Sequence, residues 1–255
     1  MAAIRSSLAV LALAACAASS DPQRETAAAE PPAHCEAREF EGSAFTLCRY
    51  DPARHDLRFH LDGADGPLRS FARLEAHLGD RAGRLLFAMN GGMYDRAGLP
   101  IGLYVEDGRT RRPLNLRDGW GNFHLKPNGV FAVDGDGRAH VATSEDLAAR
   151  VPAPAFATQS GPMLVIGGEL HPRILPDGDS LHVRNGVCAP GDGTAWFAIS
   201  DEPVSFGRFA RLFRDGLSCG DALYLDGSVS SLWDRPAHRR DAYPRLGPLI
   251  AVYAR

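Results

Sequence analysis

The chain has 255 residues, of which 45% are hydrophobic and 23% charged, and its formal net charge is -3. This length and composition suit one large globular domain, or two tightly packed lobes, with a substantial core. The charge balance argues against a broad basic face that binds nucleic acid, and the scattered glycines and prolines exclude collagen-like and low-complexity chains.

The first residues predict an export signal rather than part of the fold. Arg5 carries the one positive charge ahead of an apolar run, residues 8–15, which is too short to span a bilayer as a helix. The run ends in Leu13-Ala14-Ala15-Cys16, which resembles a bacterial lipobox. Residues 1–15 are therefore predicted to be a signal peptide, and Cys16 is predicted to carry a lipid that holds the protein at a membrane. Ordinary secretion with an incidental Cys16 is the alternative.

The residue after Cys16 is Ala17, not the Asp that typically retains lipoproteins at an inner membrane, so the periplasmic face of the outer membrane is the expected location. Residues 16–34 are rich in Ala, Ser, Pro and Glu and almost lack large apolar side chains, which predicts a flexible tether after the lipidated cysteine. The folded domain is expected over residues 35–255.

Strand patterns dominate this domain. Apolar runs bounded by turn residues predict strands at residues 45–50, 57–61, 85–89, 101–106, 129–133, 140–142, 156–160, 163–166, 196–200, 222–225 and 248–253. Helices are predicted at residues 67–78, which Gly79 ends, from Ser144 with two acidic residues in the first turn, and at residues 206–217. Hairpins therefore alternate with two helical crossovers. This order predicts an α+β fold with a mixed, mainly antiparallel sheet and a few packed helices.

If Cys16 is lipidated, four cysteines remain, and an even number in an exported chain predicts disulfides. Of the three possible pairings, Cys35–Cys48 across an N-terminal hairpin and Cys188–Cys219 beside the late strands are favoured. A zinc site is the weaker alternative, because no Cys-x-x-Cys spacing occurs and no His lies at ligand spacing from these cysteines.

Four apolar strands run into short polar turns. These turns are Asn90-Gly91-Gly92, Gln159-Ser160-Gly161-Pro162, Ser200-Asp201-Glu202 and Asp226-Gly227-Ser228. Rigid strands aim short polar side chains, and glycine lets backbone N–H groups approach a ligand, so the turns predict a binding site where they gather. The simple preference of Asn, Asp and Gly for turns is the alternative for each one. The sequence contains no Walker, Rossmann, Gly-x-Ser-x-Gly or His-Glu-x-x-His motif.

The same segments make the chain resemble the phosphodiester glycosidase family. The motifs that carry the resemblance are FAMNGGMY at residues 87–94, GNF at 121–123 with KPNGVF at 126–131, QSGPML at 159–164, Arg184-Asn185, and LYLDGSVSS at 223–231. The resemblance covers roughly residues 40–255. The family's closing motif is often Asp-Gly-Gly-Gly-Ser, whereas this chain has Asp226-Gly227-Ser228-Val229-Ser230, which gives the backbone less freedom on the phosphate side.

The resemblance implies a hydrolase that releases a sugar from a sugar-phosphate diester. The departing phosphate is a weak base, so the site must chiefly stabilise positive charge at the anomeric carbon, guide a water and hold the phosphate. Asp226 is the expected catalytic carboxylate, with Glu202 or Asp201 as the alternative. Arg184 is expected to bind phosphate oxygens, unless it forms a structural ion pair. The remaining expected ligand-binding residues are Asn90, Gly91, Gly92, Gln159, Ser160, Gly161, Asn185, Gly227, Ser228 and Ser230.

Two other functions stay open on the sequence alone. One is a non-catalytic lipoprotein that binds an envelope glycan, and the other is a metal-dependent phosphodiesterase that cleaves on the phosphorus side. The motifs require no cofactor and predict no metal site, although the turn at Asp226 could hold a divalent cation. The expected partners are a glycosyl phosphodiester or an envelope glycan, and a membrane through the lipid anchor, but not nucleic acid.

Overall fold

The computed structural model describes residues 34–242 and 245–255. The predicted signal peptide at residues 1–15, the lipid attachment at Cys16 and the tether up to residue 33 lie outside the described residues. No helix within the described residues is long and apolar enough to cross a membrane.

Antiparallel strands are the main regular structure of the described chain. In chain order the strands are β1 (Cys35–Phe40), β2 (Ser43–Tyr50), β3 (His55–His60), β4 (Asp62–Gly63), β5 (Gly66–Pro67), β6 (Leu85–Asn90), β7 (Tyr104–Glu106), β8 (Arg109–Arg112), β9 (Gly129–Val133), β10 (Ala139–Thr143), β11 (Phe156–Ser160), β12 (Met163–Ile166), β13 (Glu169–Leu170), β14 (Asn185–Cys188), β15 (Ala195–Ser200), β16 (Ala222–Tyr224), β17 (Leu232–Asp234), β18 (Arg239–Arg240) and β19 (Leu249–Ala254). The α-helices are α1 (Phe71–Leu78), α2 (Leu147–Arg150) and α3 (Phe206–Arg211). Short 3-10 segments cover Gly79–Arg84, Asn122–His124 and Gly227–Val229, and a π-helical turn covers Leu212–Gly216. The predicted α+β class is confirmed.

Three sheets share one core. The seven-stranded sheet has the order β1-β2-β15-β14-β16-β12-β13, the β9 sheet has the order β10-β9-β11-β7-β8, and the β6 sheet has the order β18-β17-β6-β19-β3. Each sheet contributes a fully buried phenylalanine. The ring of Phe197 from β15 lies 5.6 Å from that of Phe87 in β6 and 5.3 Å from that of Phe131 in β9. These large apolar contacts fix the three sheets against one another.

Helix α1 begins at Phe71 rather than at residue 67. The hydroxyl of Ser70 accepts the backbone N–H of Arg73 at 3.2 Å, which is an N-cap, and Arg69 has a φ of 64°, in the left-handed region that a helix interior excludes. Gly79, with a φ of 55°, ends the helix as predicted. Helix α3 is capped by Ser205 in the same way as α1.

Two other predicted boundaries are wrong. Ser144 does not start a helix, because its backbone N–H donates to the carbonyl of Asn128 at 3.0 Å and so continues the β9–β10 pairing. Helix α2 begins at Leu147, after the two acidic residues. The strand predicted from residue 101 starts only at Tyr104, because Gly102 packs against the side-chain oxygen of Gln159 in irregular backbone.

The favoured disulfide pairing is confirmed. Cys35 and Cys48 face each other across β1 and β2 and are bonded. Cys188, at the end of β14, is bonded to Cys219, which lies just ahead of β16. Two disulfides in one domain fit an exported protein, since such bonds persist in oxidising compartments.

Candidate active site

Strand ends from all three sheets meet at one place. In the seven-stranded sheet Asn185 pairs with Ile199 and Gly186 with Tyr224, so the start of β14 lies beside the ends of β15 and β16. The end of β6 reaches the same place, because the backbone N–H of Asp226 donates to the carbonyl of Gly91 at 3.1 Å. The end of β11 in the third sheet lies beside Gly92, whose backbone N–H donates to the Thr158 hydroxyl. The structure thus brings together the polar turns at Asn90, Gln159 and Asp226.

Two buried asparagines join these turns. The side-chain amide of Asn90 donates to the carbonyl of Asp226 at 2.8 Å, and its oxygen accepts from Asn185 at 3.0 Å and from the backbone N–H of Ser231 at 2.9 Å. The hydroxyl of Ser230 donates to the side-chain oxygen of Asn185 at 3.1 Å. The side-chain amides of Asn90 and Asn185 therefore hydrogen-bond within the protein and hold the Asp226 turn against β6 and β14. We call these five residues the asparagine cluster.

Asp226 supplies the carboxyl group of this cluster. It is 9% exposed, and its carboxyl oxygen accepts the backbone N–H of Ser228 at 3.2 Å. It forms no ion pair with any Lys, Arg or His of the described residues. Burial raises the pKa of Asp226 above its usual range, because the charged form is poorly solvated there. A carboxyl held this way is suited to proton transfer at higher pH than an ordinary aspartate.

Two glycines of the predicted motifs are required by close packing. A side chain at Gly227 would overlap the hydroxyl oxygen of Tyr224, and one at Gly92 would overlap the backbone oxygen of Gln159 and the hydroxyl of Thr158. The backbone N–H of Gly92 donates to that Thr158 hydroxyl at 3.2 Å. Gly92 therefore ties the β6 turn to β11, and Gly227 lets Asp226 approach Tyr224.

Arg184 is a buried cation without a carboxylate partner in the described part of the chain. Its guanidinium donates to the carbonyls of Val204 at 2.8 Å and Ser180 at 2.6 Å, and to the hydroxyl of Tyr224 at 3.2 Å. Its central carbon lies 3.7 Å from the ring centre of Phe206, a cation–π contact. Burial lowers the pKa of Arg184, but a guanidinium stays protonated. The structural ion pair considered for this residue is not formed with any described carboxylate.

A mainly apolar depression of about 310 Å³ opens beside Arg184. Phe206 and Ser180, which contact the guanidinium, form part of its wall, and Leu125, Ile174 and Leu175 form much of the rest. The depression thus connects the buried cation with two loops, residues 113–126 and 171–182.

The side chains of Gln159 and Ser160 are buried too deeply to contact a ligand. The side chain of Gln159 accepts the backbone N–H groups of Leu103 and Asn115, both at 2.9 Å, and donates to the Asn115 carbonyl and the Ser144 hydroxyl. Ser160 is fully buried, and its hydroxyl has no hydrogen-bond partner among the described residues. Gly161 packs against the backbone of residues 122–123. These residues fix the loop at 113–126 to the end of β11.

Asp201 and Glu202, the alternative carboxylates, make no hydrogen bond to the asparagine cluster within the described residues. Asp201 forms an ion pair with Arg239 at 2.5 Å and accepts from the hydroxyl of Thr46 at 3.1 Å. It turns toward β2 because that strand is the neighbour of β15 on the side away from β14. Glu202 and Ser228 are exposed, and Ser228 adjoins Asp226.

Tyr224, Thr158 and Ser231 are site residues that were not predicted from the sequence. Tyr224 lies inside the LYLDG segment, so its position two residues before Asp226 was the available signal. No group of three or more His, Cys, Asp or Glu in the described part of the chain is arranged to hold a metal ion.

Comparison with known proteins adds four similarities. A family model described as phosphodiester glycosidase matches residues 83–242. An uncharacterized Escherichia coli protein, YigE, is 37% identical over 190 residues, which are 72% of this chain and 71% of that protein. The catalytic domain of zebrafish N-acetylglucosamine-1-phosphodiester alpha-N-acetylglucosaminidase, auto-inhibited by its pro-peptide, has a similar fold with a TM-score of 0.54 and 14% identity, over 87% of this chain and 81% of that one. A hypothetical protein from Synechocystis matches with a TM-score of 0.56 and 15% identity, over 87% and 61%.

Proposed function

The chain belongs to the phosphodiester glycosidase family, and from that membership we propose that it is an exported hydrolase that breaks the bond between the anomeric carbon of a sugar and a phosphodiester oxygen. The observation that supports the proposal most directly is the position and burial of Asp226. This buried carboxyl has a raised pKa, accepts the backbone N–H of Ser228 and lies in the asparagine cluster, where three of the five motif segments meet.

One carboxylate is sufficient for this reaction. The leaving group is a phosphate monoester, a stable anion, so no second acid has to protonate the leaving oxygen. Asp226, in its ionised form, stabilises positive charge at the anomeric carbon and takes a proton from the attacking water. The oxygen of that water bonds to the anomeric carbon, and the electron pair of the broken C–O bond leaves with the phosphate. The absence of Asp201 and Glu202 from the asparagine cluster is compatible with this chemistry.

Arg184 contributes as a fixed positive charge. Its N–H groups already donate to Val204, Ser180 and Tyr224, so bidentate hydrogen bonding to phosphate oxygens would break existing hydrogen bonds. A charge held rigidly in a poorly solvated site stabilises a nearby anion without direct contact. We assign Arg184 this electrostatic role, and we assign Ser228 and the backbone of Gly227 to direct contacts with the substrate.

Export is supported by the two disulfides and by the signal-like residues 1–15. We propose a lipid anchor at Cys16 and a location at the periplasmic face of the outer membrane. The substrate is then a glycosyl phosphodiester of the cell envelope. The reaction as written needs no cofactor.

The test is release of free sugar from a synthetic sugar-phosphate diester and from a UDP-sugar by the purified full chain. Asp226→Asn should abolish release, whereas Asp136→Asn, which removes an exposed carboxylate from the β9–β10 turn, should not. Asp201→Asn and Glu202→Gln should retain activity.

The two alternative functions are distinguished in the same assay. With heavy-oxygen water, label in the released sugar supports cleavage at the anomeric carbon. Label in the phosphate, together with loss of activity in a chelator, would identify a metal-dependent phosphodiesterase. Sugar binding that survives Asp226→Asn, with no turnover of either substrate, would identify a glycan-binding protein.

A further inference from the structure

The large hydrophobic side chains that are exposed in the described residues all lie in three loops. They are Leu99, Leu116, Trp120, Leu175 and Leu181. Trp120 is 98% exposed and Leu175 71%. The loops are residues 95–101, 113–126 and 171–182, and we call them the rim loops. Exposed apolar groups are normally scattered over a surface, so their restriction to one region indicates a contact surface.

Each rim loop is attached to the candidate active site. The first follows Gly92, and Ile101 returns to the carbonyl of Met93 at 3.2 Å. The second is held by Gln159, which binds the backbone of Asn115. The third is held by Arg184, which binds the carbonyl of Ser180 at 2.6 Å. The exposed side chains therefore belong to loops that are anchored beside the place where the strand ends meet.

The rim loops are also adjacent to one another. Ile101 of the first loop and Leu116 of the second line one depression of about 290 Å³. Leu125 of the second loop and Leu175 of the third line the depression beside Arg184. Lys126 closes the second loop on itself through the carbonyl of Leu116 at 2.6 Å. The apolar side chains are thus presented by a hydrogen-bonded framework.

In and beside the rim loops, arginines without an ion pair outnumber acids without one. Arg112 and Arg117 line the same depression as Leu116, and Arg173 lines the one that contains Leu175. None of these three arginines forms an ion pair with a described carboxylate. Arg96 of the first loop likewise forms no ion pair with a described carboxylate. Of the acids in the rim loops, Asp118 pairs with Lys126 and Asp177 with Arg211, so Asp95 and Asp179 offset two of these four arginines.

We infer that the rim loops dock on an anionic lipid surface. Trp is the residue that favours the boundary between lipid and water, leucines bury their side chains among acyl chains, and arginines attract anionic head groups. The same loops carry both the exposed apolar side chains and unpaired arginines, a combination that suits a lipid surface more than an apolar protein contact. Docking would turn the Asp226 site toward the membrane.

The chain preceding the described residues favours the same partner. Cys16, where a lipid is predicted, is 18 positions before His34, and a chain of that length spans at most about 60 Å. A domain held that close to a bilayer has a high effective concentration near it, so weak contacts suffice for docking. The docking surface itself does not depend on the proposed reaction.

The test uses the natural fluorescence of Trp120 in the full chain, incorporated into vesicles whose acyl chains carry bromine, a contact quencher. Vesicles contain phosphatidylcholine alone or mixed with phosphatidylglycerol. The fluorescence of Trp120 is obtained by subtracting the spectrum of Trp120→Phe from that of the parent. This subtraction removes the contribution of the two other tryptophans. We expect quenching of Trp120 on the anionic vesicles and little on the neutral ones.

The charge requirement is tested by a triple variant, Arg112→Gln/Arg117→Gln/Arg173→Gln. Each cation near an anionic surface contributes a factor of about five, so the docking constant should fall on the order of a hundredfold. The matched control is Arg54→Gln/Arg81→Gln/Arg138→Gln, which removes three exposed arginines near the opposite ends of the strands and should leave quenching unchanged. Asp226→Asn should dock like the parent, so failure of the reaction and failure of docking are distinguishable.

Three results would overturn the inference. They are equal quenching on neutral and anionic vesicles, no loss in the rim variant while it keeps the parent's unfolding midpoint, and a blue-shifted Trp120 emission without vesicles. The last result would mean that a protein surface, including a second copy of the chain, covers the rim.

Discussion

Replacing Gly227 with alanine tests the packing that positions Asp226. The added methyl group would overlap the hydroxyl oxygen of Tyr224 and lie 2.9 Å from its ring carbon Cε2. Tyr224 lies in a buried strand, so either its ring or the Gly227 backbone has to move. Movement of the ring lengthens the 3.2 Å hydrogen bond between Tyr224 and Arg184, and movement of the backbone displaces the adjacent Asp226.

The expected cost follows from these two losses. Overpacking in a closed core costs about 1–3 kcal/mol, and a weakened hydrogen bond to a charged group adds about 1 kcal/mol. We therefore expect Gly227→Ala to lower the free energy of unfolding by about 2–4 kcal/mol. A misplacement of Asp226 by about 1 Å should also lower the rate of sugar release about a hundredfold.

Urea unfolding and the sugar-release assay measure the two effects. Gly135→Ala is the matched control, because Gly135 lies in an exposed hairpin turn where an added methyl group would meet only open space. A Gly227→Ala protein as stable and as active as Gly135→Ala would refute the idea that Tyr224 and the Asp226 turn form one packed unit.

Three further predictions concern stability. Gln159→Leu leaves backbone groups of Leu103 and Asn115 unpaired and should cost about 3–6 kcal/mol in urea unfolding, a loss that a purely ligand-binding role would not produce. Burial lowers the pKa of His60 to about 4 from an ordinary value near 6.5, so the folded state favours neutral His60. The contribution of neutral His60 to the free energy of unfolding should therefore be fully present above about pH 6.5 and be lost as the pH falls toward 4. His60→Gln should make the melting temperature less dependent on pH over that range. The double variant Cys188→Ala/Cys219→Ala removes the disulfide between two residues with a sequence separation of 31 and should lower the free energy of unfolding by about 3–4 kcal/mol. An unchanged urea midpoint would contradict that contribution.

The local sequence pattern was sufficient to predict the bounds of strands that are flanked by clear turn residues. The strands predicted at residues 129–133, 156–160 and 163–166 have those bounds in the structure, because glycine, proline or charged turns limit each apolar run. It was insufficient for β14, whose Asn185-Gly186-Val187-Cys188 sequence has weak strand preference. That strand is imposed by its neighbours β15 and β16, and Gly186 is needed because a side chain there would approach the Leu223 carbonyl to 2.8 Å.

The same limit applies to the candidate site. Asp201 and Asp226 both follow apolar strands and are alike in local sequence, but the sheet order separates their surroundings. Asp201 meets Thr46 and Arg239, whereas Asp226 meets the asparagine cluster. Which turns meet depends on strand order, and strand order is a property of long-range pairing rather than of local pattern.

The central claim is that Asp226 acts at the anomeric carbon of a glycosyl phosphodiester. The most direct measurement is hydrolysis of a synthetic sugar-phosphate diester in heavy-oxygen water, followed by mass analysis of both products, for the parent and for Asp226→Asn. We predict label in the sugar from the parent and no hydrolysis by Asp226→Asn. Label in the phosphate, or hydrolysis by Asp226→Asn at the parent's rate, would contradict the claim.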